Sequence, residues 1–523
     1  MADFLNPGTD MFQRSLRSRI YVDKSGLIGE LNDLVETEDC FVCVSRPRRF
    51  GKTMALKMLG AYYGMGEDAY EYFKDLKISS YPSFEKHLNQ YHCLMINMQD
   101  FLTETDSVEE MIDDLQKSLI HRLVAANPTI EFEDKSKIVR VMNDIYRQTK
   151  RSFVILIDEW DCIFRVHKTD DTAQGKFLDF LRLWLKDKPY VGLAYMTGIL
   201  PIKKYGTHSA LNMFEEYSMT DPHPFIDYFG FTSFEVEKLC QRFNVSIEEM
   251  KYWYNGYFIE TGTPIFNPRS VVQSLSRGKF NSYWNKTETY EALKVYIQMN
   301  MDGLRDKVVR LLSGDCVEVN TKKFKNDMST FHSADDVLSL LVHLGYLSFD
   351  FESSRVRIPN EEVKMEFVNV IEDLEWPVLD SLKAADALLR AIWEKDTLKV
   401  ASLIQAAHEK NTSILNYNNE NALGMIIRLA LYTASGYYTE IRELPTGKGF
   451  ADIVYLPRPK HLDKPAMIVE LKWDKSAVSA IDQIKEKNYV GALDAYQGNL
   501  LLVGINYDKA SKEHECVIEK FMM

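Results

Sequence analysis

Four short apolar runs, at residues 41–45, 93–98, 153–157 and 191–196, are each bounded by polar or turn residues. Stretches with helical spacing, among them residues 108–124 and 135–146, lie between them. Strand-length runs alternating with helices are the pattern of a mainly parallel sheet covered by helices, so the first 230 or so residues predict an α/β fold. From about Thr232 the pattern changes to helices with charged faces, opening at Phe234-Glu-Val-Glu-Lys-Leu239 behind a Thr-Ser pair suited to cap a helix. Residues 334–344 predict a helix ended by Gly345, followed by Tyr346-Leu-Ser-Phe-Asp-Phe351 and Arg355-Val-Arg-Ile-Pro359 as a short hairpin. A helix running into a hairpin resembles a winged-helix unit, a shape that binds nucleic acid in some proteins and serves as a packing lid in ATPases; both roles stay open. After helical material at 384–409, the last hundred residues return to an α/β pattern. It comprises a helix at 420–433, strands at 452–456 and 467–471 joined by a hairpin connection at 457–465, a helix at 477–489 and a strand at 499–503. Three domains are expected, at residues 1–232, 233–382 and 383–523.

Length and composition agree. A chain of 523 residues exceeds what one hydrophobic core supports, and 46% hydrophobic with 27% charged residues is ordinary globular composition. The net charge of −13 repels nucleic acid at long range, so any contact with DNA or RNA requires a local basic patch. No apolar run approaches the roughly 20 residues needed to span a bilayer, and the start MADFLNPGTD lacks the basic-then-apolar signal pattern, which leads to the expectation of a cytoplasmic protein without membrane contact. Seven scattered cysteines predict reduced thiols. Cys40 and Cys43 are spaced as a Cys-x-x-Cys pair but sit at a strand, where residues three apart face opposite ways, so they are expected in the core.

Chemistry enters at Ser45-Arg-Pro-Arg-Arg-Phe-Gly-Lys-Thr53, between an apolar strand and a helix beginning near Met54. In that context a Gly-Lys-Thr signature cradles phosphates on loop N–H groups and a helix N-terminus. The nucleotide-binding residues are expected to be Arg46, Pro47, Arg48, Arg49, Phe50, Gly51, Lys52 and Thr53. Gly51 lets the backbone approach, Lys52 neutralises the terminal phosphates, and Thr53 holds Mg²⁺. Arg46 stands where the pattern has its first glycine. Either it takes that turn without positive φ, or Arg48 and Arg49 take over part of the phosphate grip. A hundred residues on, Phe153-Val-Ile-Leu-Ile-Asp-Glu-Trp-Asp161 delivers carboxylates at the end of an apolar strand, where such sheets bind ligands. Asp158 is expected at the metal and Glu159 as the catalytic group that polarises water. Thr197, closing Gly192-Leu-Ala-Tyr-Met-Thr-Gly198, is expected to sense the terminal phosphate. Lys203, Lys204 and Asn212 follow it, and a charged surface loop explains the lysines equally well. No arginine is nominated to stabilise the transferring phosphoryl group.

These residues, with Tyr21-Val-Asp-Lys24, Thr197-Gly-Ile199, Gly230-Phe-Thr232, Trp253-Tyr-Asn-Gly-Tyr257 and Phe266-Asn-Pro-Arg-Ser270, resemble the bacterial predicted AAA-ATPase-like family over roughly residues 10 to 290. The resemblance implies ATP binding with Mg²⁺, and an arginine in place of the first loop glycine is usual there.

Near the C-terminus, Asp452 opens one predicted strand, and Glu470 and Lys472, two apart, share a face of the next. If the hairpin pairs in register, Asp452 meets them, and two carboxylates with a lysine suit metal-assisted phosphodiester hydrolysis. An acidic-x-basic triplet is common in a chain with 76 acidic and 63 basic residues, and a surface ion pair is the competing reading. The order of Glu420 on a helix, Asp452, Glu470-Leu-Lys472 and a helix with Gln483 and Tyr489 resembles the PD-(D/E)XK nuclease superfamily over about residues 410 to 510. The resemblance implies a restriction-endonuclease-like domain. In it Glu420, Asp452 and Glu470 are metal-site positions, Lys472 is the catalytic lysine and Gln483 is an auxiliary residue. Lys475, Lys485 and Lys487 either guide a phosphate backbone or are solvated.

Two functions fit: an ATPase whose nucleotide controls a Mg-dependent nuclease acting on DNA or RNA, in defence or mobile-element biology, or an ATP-dependent switch whose nuclease-like domain is an inactive binding module. An oligomer is compatible with either.

Overall fold

The computed structural model describes residues 4–202, 211–257, 264–284, 288–324, 331–376, 378–411, 420–446, 449–486, 493, 496 and 498–521. Lys203, Lys204, Lys487 and Tyr489 lie outside the described residues. The chain forms two compact units, Met1–Thr289 with Glu318–Lys364, and Tyr290–Val317 with Met365–Met523.

The first unit holds a sheet of β1 (Phe41–Ser45), β2 (His92–Asn97), β3 (Phe153–Asp158), β4 (Val191–Gly198) and β5 (Glu215–Tyr217), ordered β2-β3-β4-β1-β5. All neighbours are parallel. The four apolar runs thus become adjacent strands, and β3 and β4 are buried along their whole length, as a sheet covered on both faces requires. Parallel register brings the C-terminal ends of β1, β2, β3 and β4 to one edge: Ser45 lies beside Gly198, and Asn97 beside Asp158. That edge is where an open α/β sheet exposes backbone and side chains to a ligand. Cys43 is buried in β1, and burial also pushes the Cys40 thiol up to about 11, so both are core thiols.

Helix α1 (Lys52–Tyr63) follows β1. Helix α2 (Cys162–Val166) follows β3. Beyond the sheet, Thr232 caps α3 (Ser233–Phe243) reciprocally with Glu235, and α4 (Pro268–Arg277) starts with Asn267 accepting from the N–H groups of Arg269 and Ser270 and with Pro268 in its first turn. Helix α5 (Ala334–Leu344) runs into the antiparallel hairpin β6 (Ser348–Asp350) and β7 (Arg355–Arg357), the helix-plus-hairpin arrangement expected from the sequence.

The loop between β1 and α1 is bolted to these later segments. Arg46 is fully buried, with its N–H donating to Gly198 O and its guanidinium to the carbonyls of Ser45, Tyr217 and Pro222. It also lies 5.5 Å from the Phe229 ring centre. Pro47 packs on Gly345, whose φ of 85° ends α5 and whose missing side chain leaves room: a Cβ there would lie 2.7 Å from that of Pro47. Arg49 donates to Tyr283 O and Trp284 O, both at 2.8 Å. Buried Glu362 in turn accepts from Tyr283 N and Ser270 Oγ. Phe50 meets Tyr257 edge-on, and its carbonyl accepts from Gly230 N.

The second unit contains a five-stranded mixed sheet in chain order: β8 (Tyr438–Thr446), β9 (Gly449–Pro457), β10 (Ala466–Trp473), β11 (Leu500–Asp508) and β12 (Glu513–Lys520). Only β10 and β11 are parallel, and α7 (Ala477–Glu486) makes the crossover between them. Val454, Ile468 and Leu502 from the strands pack with Ile481 and Ile484 of α7. Helix α6 (Glu420–Ala430) precedes the sheet. Among the described residues no helix is long and apolar enough to cross a membrane.

Restoring the glycine of the usual loop pattern tests the bolted arrangement. Arg46→Gly strips three carbonyls, two of them buried, of their donor and leaves a void, so the urea midpoint should fall by the equivalent of at least about 2 kcal/mol. A variant as stable as the parent would show that the loop does not depend on this side chain.

Candidate functional site

Gly51 has a φ of 98°, the left-handed region that glycine tolerates, and serves as the N-cap of α1. Nothing lies within 4 Å of where its Cβ would be, no side chain caps the helix, and Gly51, Lys52 and Thr53 line a cavity. Lys52, the first residue of α1, is buried and donates to the carbonyls of Arg46 at 2.8 Å and Pro47 at 3.0 Å. Burial pushes its ammonium down, opposed by the Glu159 and Asp158 carboxylates. Thr53 Oγ1 donates to Asp158 Oδ2 at 2.8 Å, and Thr197 Oγ1 to Asp158 Oδ1 at 2.6 Å. Two hydroxyls therefore fix both carboxylate oxygens. Neither buried Asp158 nor fully buried Thr197 is among the described residues lining that cavity; Thr53, bonded to Asp158, is.

Glu159 follows β3 with a φ of 52°. Its carboxylate pairs with Arg165 of α2, and burial pushes its pKa up while Arg165 opposes the shift. Asp161 is fully buried, its Oδ2 accepting from Ile199 N at 3.0 Å and Leu200 N at 2.9 Å.

A cavity of about 1000 Å³ opens over these groups, within the size range of small-molecule sites. Cationic Arg48, Arg49, Lys52, Arg165 and Arg269 line it, as do the apolar side chains of Ile20, Val22, Phe231 and Val272. A flexible polyanion attached to a flat, largely apolar ring is the chemistry such a lining accepts. Arg46 is not part of it, because its guanidinium and its N–H are both engaged with protein carbonyls. Three contributors were not assigned roles from the sequence: Arg165, Arg269 and the Ile20–Lys24 strap. Signals existed for each, since Arg269 follows the Asn-Pro helix start, Arg165 lies one turn past Asp161, and the strap holds the Tyr-Val-Asp-Lys motif. The strap is pinned by Lys24, whose Nζ donates to Glu235 Oε2 and Asp227 O, both at 2.6 Å.

In the second unit Asp452, Glu470, Lys472 and Gln483 come together. Asp452 Oδ2 accepts from Leu471 N at 2.8 Å, which sets it beside Glu470 across the β9–β10 hairpin. Lys472 Nζ donates to Glu470 Oε1 at 3.0 Å, and Gln483 Nε2 of α7 reaches the same oxygen. Glu470 Oε2 is buried without a hydrogen-bond partner, an oxygen suited to a cation. Glu420 is exposed at the first position of α6. Among the described residues no three His, Cys, Asp or Glu side chains are grouped to hold a metal, so Glu420 is not gathered with Asp452 and Glu470. Lys485 pairs with Glu519 at 2.6 Å on the surface.

Burial, then the Asp452 charge, pushes Glu470 up from 4.5 to about 7. Between those values the folded state holds more protons than the unfolded state, so this group's contribution to stability declines as pH rises from about 4.5 to about 7 and is level above. In metal-free buffer the urea stability of the parent should fall relative to Glu470→Gln across that window by on the order of 2 to 3 kcal/mol. Parallel curves would remove the assignment.

Two family models match this chain. Residues 8–207 match the model of the predicted AAA-ATPase family, and residues 418–516 that of the PD-(D/E)XK nuclease superfamily. An uncharacterized protein in the vnfD 5' region of Azotobacter chroococcum mcd 1 is 22% identical over a match of 524 aligned positions that covers 94% of this chain and 93% of that protein. Among solved structures, a Walker-type ATPase of Pyrococcus abyssi is 13% identical with a TM-score of 0.35, the match covering 66% of this chain and 94% of that one. The ORC2 protein of Aeropyrum pernix, in ADPNP and ADP complexes, is 11% identical with a TM-score of 0.32, covering 69% and 98%. The chain carries a predicted AAA-ATPase domain followed by a PD-(D/E)XK nuclease-superfamily domain.

Proposed function

We propose that the first unit binds and hydrolyses ATP with Mg²⁺, and that the second unit is a metal-dependent nuclease acting on DNA or RNA. The observation that carries the first part is the junction of Lys52, Thr53 and Asp158 beside an open helix N-terminus and a cation-lined cavity. The N–H groups at the start of α1 and the Lys52 ammonium take the phosphates, with Lys52 exchanging its two loop carbonyls for phosphate oxygens. The apolar side chains of the cavity take the base. Thr53 and Asp158 hold the magnesium ion, which supplies charge neutralisation at the phosphate oxygens when bound. Glu159 accepts the proton of the attacking water.

For the second part, Asp452 and Glu470 supply the carboxylates, and the partnerless Glu470 oxygen fits a divalent cation. Lys472 stabilises charge at the scissile phosphate, and Gln483 orients Glu470. A cation bound there supplies Lewis-acid chemistry and an activated water. Control of that unit by nucleotide, a cytoplasmic setting and a role in defence or mobile-element biology belong to the same proposal.

Lys52→Ala should abolish ATP binding, and Glu159→Gln should bind ATP while turnover falls at least about 100-fold, by calorimetry and phosphate release. Parent-like turnover in both removes the ATPase assignment. For the second unit, cleavage of single- and double-stranded DNA and of RNA with Mg²⁺ or Mn²⁺ should disappear in Lys472→Ala. Equal background cleavage by parent and variant under every nucleotide condition would instead favour a switch that uses this unit as a binding module.

A further inference from the structure

Arg165 raises a chemical problem for the ATPase site. A carboxylate that is to take a proton from water cannot do so well while an arginine neutralises it, yet Arg165 Nη2 holds Glu159 Oε2. Both side chains line the cavity, together with Lys52 and Thr53. Lys52 senses both charges, being drawn by Glu159 and repelled by Arg165, which sets the pair beside the phosphate-binding end. The anchor of Arg165 differs from its partner in mobility. Asp161, 3.4 Å from Arg165 Nε, is immobilised by the N–H groups of Ile199 and Leu200, whereas Glu159 keeps 27% of its side chain exposed. The guanidinium can therefore stay fixed at its Nε side and change partner at its Nη side.

We propose that Arg165 is the arginine of this chain that reads the terminal phosphate, leaving Glu159 for the γ-phosphate when a triphosphate enters. The proposal rests on the nucleotide reading of the cavity. Seven cations and a single carboxylate, Glu159, are among the described residues lining the cavity, so an incoming triphosphate outcompetes that carboxylate for the guanidinium. In the loaded state Glu159 is released to act as base. Water oxygen bonds to the γ-phosphorus, its proton passes to Glu159, and the bond from that phosphorus to the β–γ bridging oxygen breaks, giving the diphosphate and inorganic phosphate. Arg165 remains charged throughout and stabilises the transferring group. Asp161, the last residue of Ile157-Asp-Glu-Trp-Asp161, is the positioning residue that aims Arg165. A diphosphate lacks the group that draws Arg165 away, so the site rests with Glu159 neutralised.

The full-length chain carrying Arg165→Gln tests this through binding of MgATP and MgADP by calorimetry and through kcat. ADP affinity should stay within about twofold of the parent, the preference for ATP over ADP should drop at least about tenfold, and kcat should fall about 100-fold or more. Asp161→Asn should shift the same ratio in the same direction by a smaller factor. A kcat equal to or above the parent's, or an unchanged ATP-to-ADP ratio, overturns the proposal and identifies the pair as a brake or a structural salt bridge. Should Arg165→Gln fail to fold, Arg165→Lys carries the test: one ammonium cannot span Asp161 and a phosphate, so kcat falls at least about tenfold with ADP affinity kept, and parent-like kcat overturns the proposal. A parent chain that binds neither nucleotide sinks the nucleotide reading itself, and with it the ground of this proposal. Parent binding with an unmoved ratio in the variant sinks this proposal alone.

Discussion

A guanidinium buried where a phosphate loop ordinarily has glycine must find acceptors, and the acceptors of Arg46 fix the loop between β1 and α1. Burial pushes Arg46 down to about 10, still charged at neutral pH, so its donors have to be matched by carbonyl oxygens. Those oxygens belong to Ser45, Tyr217 and Pro222, which binds the loop to the segment that supplies β5, while Phe229 covers the cation. A glycine-rich loop wraps phosphate through backbone freedom. Here that freedom is replaced by side chains that lock the loop from behind: Arg46 on β5 and the turn after it, Pro47 on the end of α5, Arg49 on the carbonyls of 283 and 284. These side chains hold the loop in shape, and its backbone turns left-handed at Arg49, with a φ of 72°, and at Gly51, with a φ of 98°.

The two sites are complementary in charge. Around α1 the described lining is cationic with one carboxylate, Glu159, while Asp158 lies against Thr53. In the second unit two carboxylates face one another across a hairpin, with one ammonium to offset them. Burial first, and then the repulsion between them, drives the Glu470 shift, and an oxygen without a hydrogen-bond partner remains there. Excess positive charge in a cavity and excess carboxylate on a sheet have the same physical consequence: each is incomplete as protein alone. Their signs are opposite.

Much of this was legible along the chain because apolar runs and caps are local signals. The four strands β1 to β4, the helix ending at Gly345, the hairpin after it and the Asp452–Glu470 meeting all follow from pattern and register. Strand β5 did not stand out, because Glu215–Tyr217 is three residues with no apolar alternation, and β8 is interrupted by Glu440 and Arg442. For Arg46 the sequence showed an odd residue but not where carbonyls would converge, since Tyr217 and Pro222 lie about 170 positions away. Arg165 and Arg269 were hidden for the same reason. Their types were visible, but a cavity is a property of segments brought together, here the strap at 20–24, the loop at 48–54 and α4.

The backbone at Glu159 shows how local strain and site chemistry meet. In a strand, successive side chains face opposite ways, so Asp158 and Glu159 could not both serve one ligand if β3 simply continued. The strand instead ends at Asp158, and Glu159 adopts a φ of 52°, a conformation that costs a non-glycine residue free energy and needs surrounding structure to hold it. Three contacts do so: Glu159 N donates to Asp158 Oδ1, Trp160 N to Thr197 O, and Arg165 holds the Glu159 carboxylate. The turn brings the second carboxylate to the cavity while leaving the first against Thr53. The same Asp-Glu pair that reads in sequence as two adjacent acids is, in the fold, one fixed acid and one re-aimed acid. Asp158 is held by hydroxyls that have no reason to let go, and Glu159 is held by a cation that another anion can draw away.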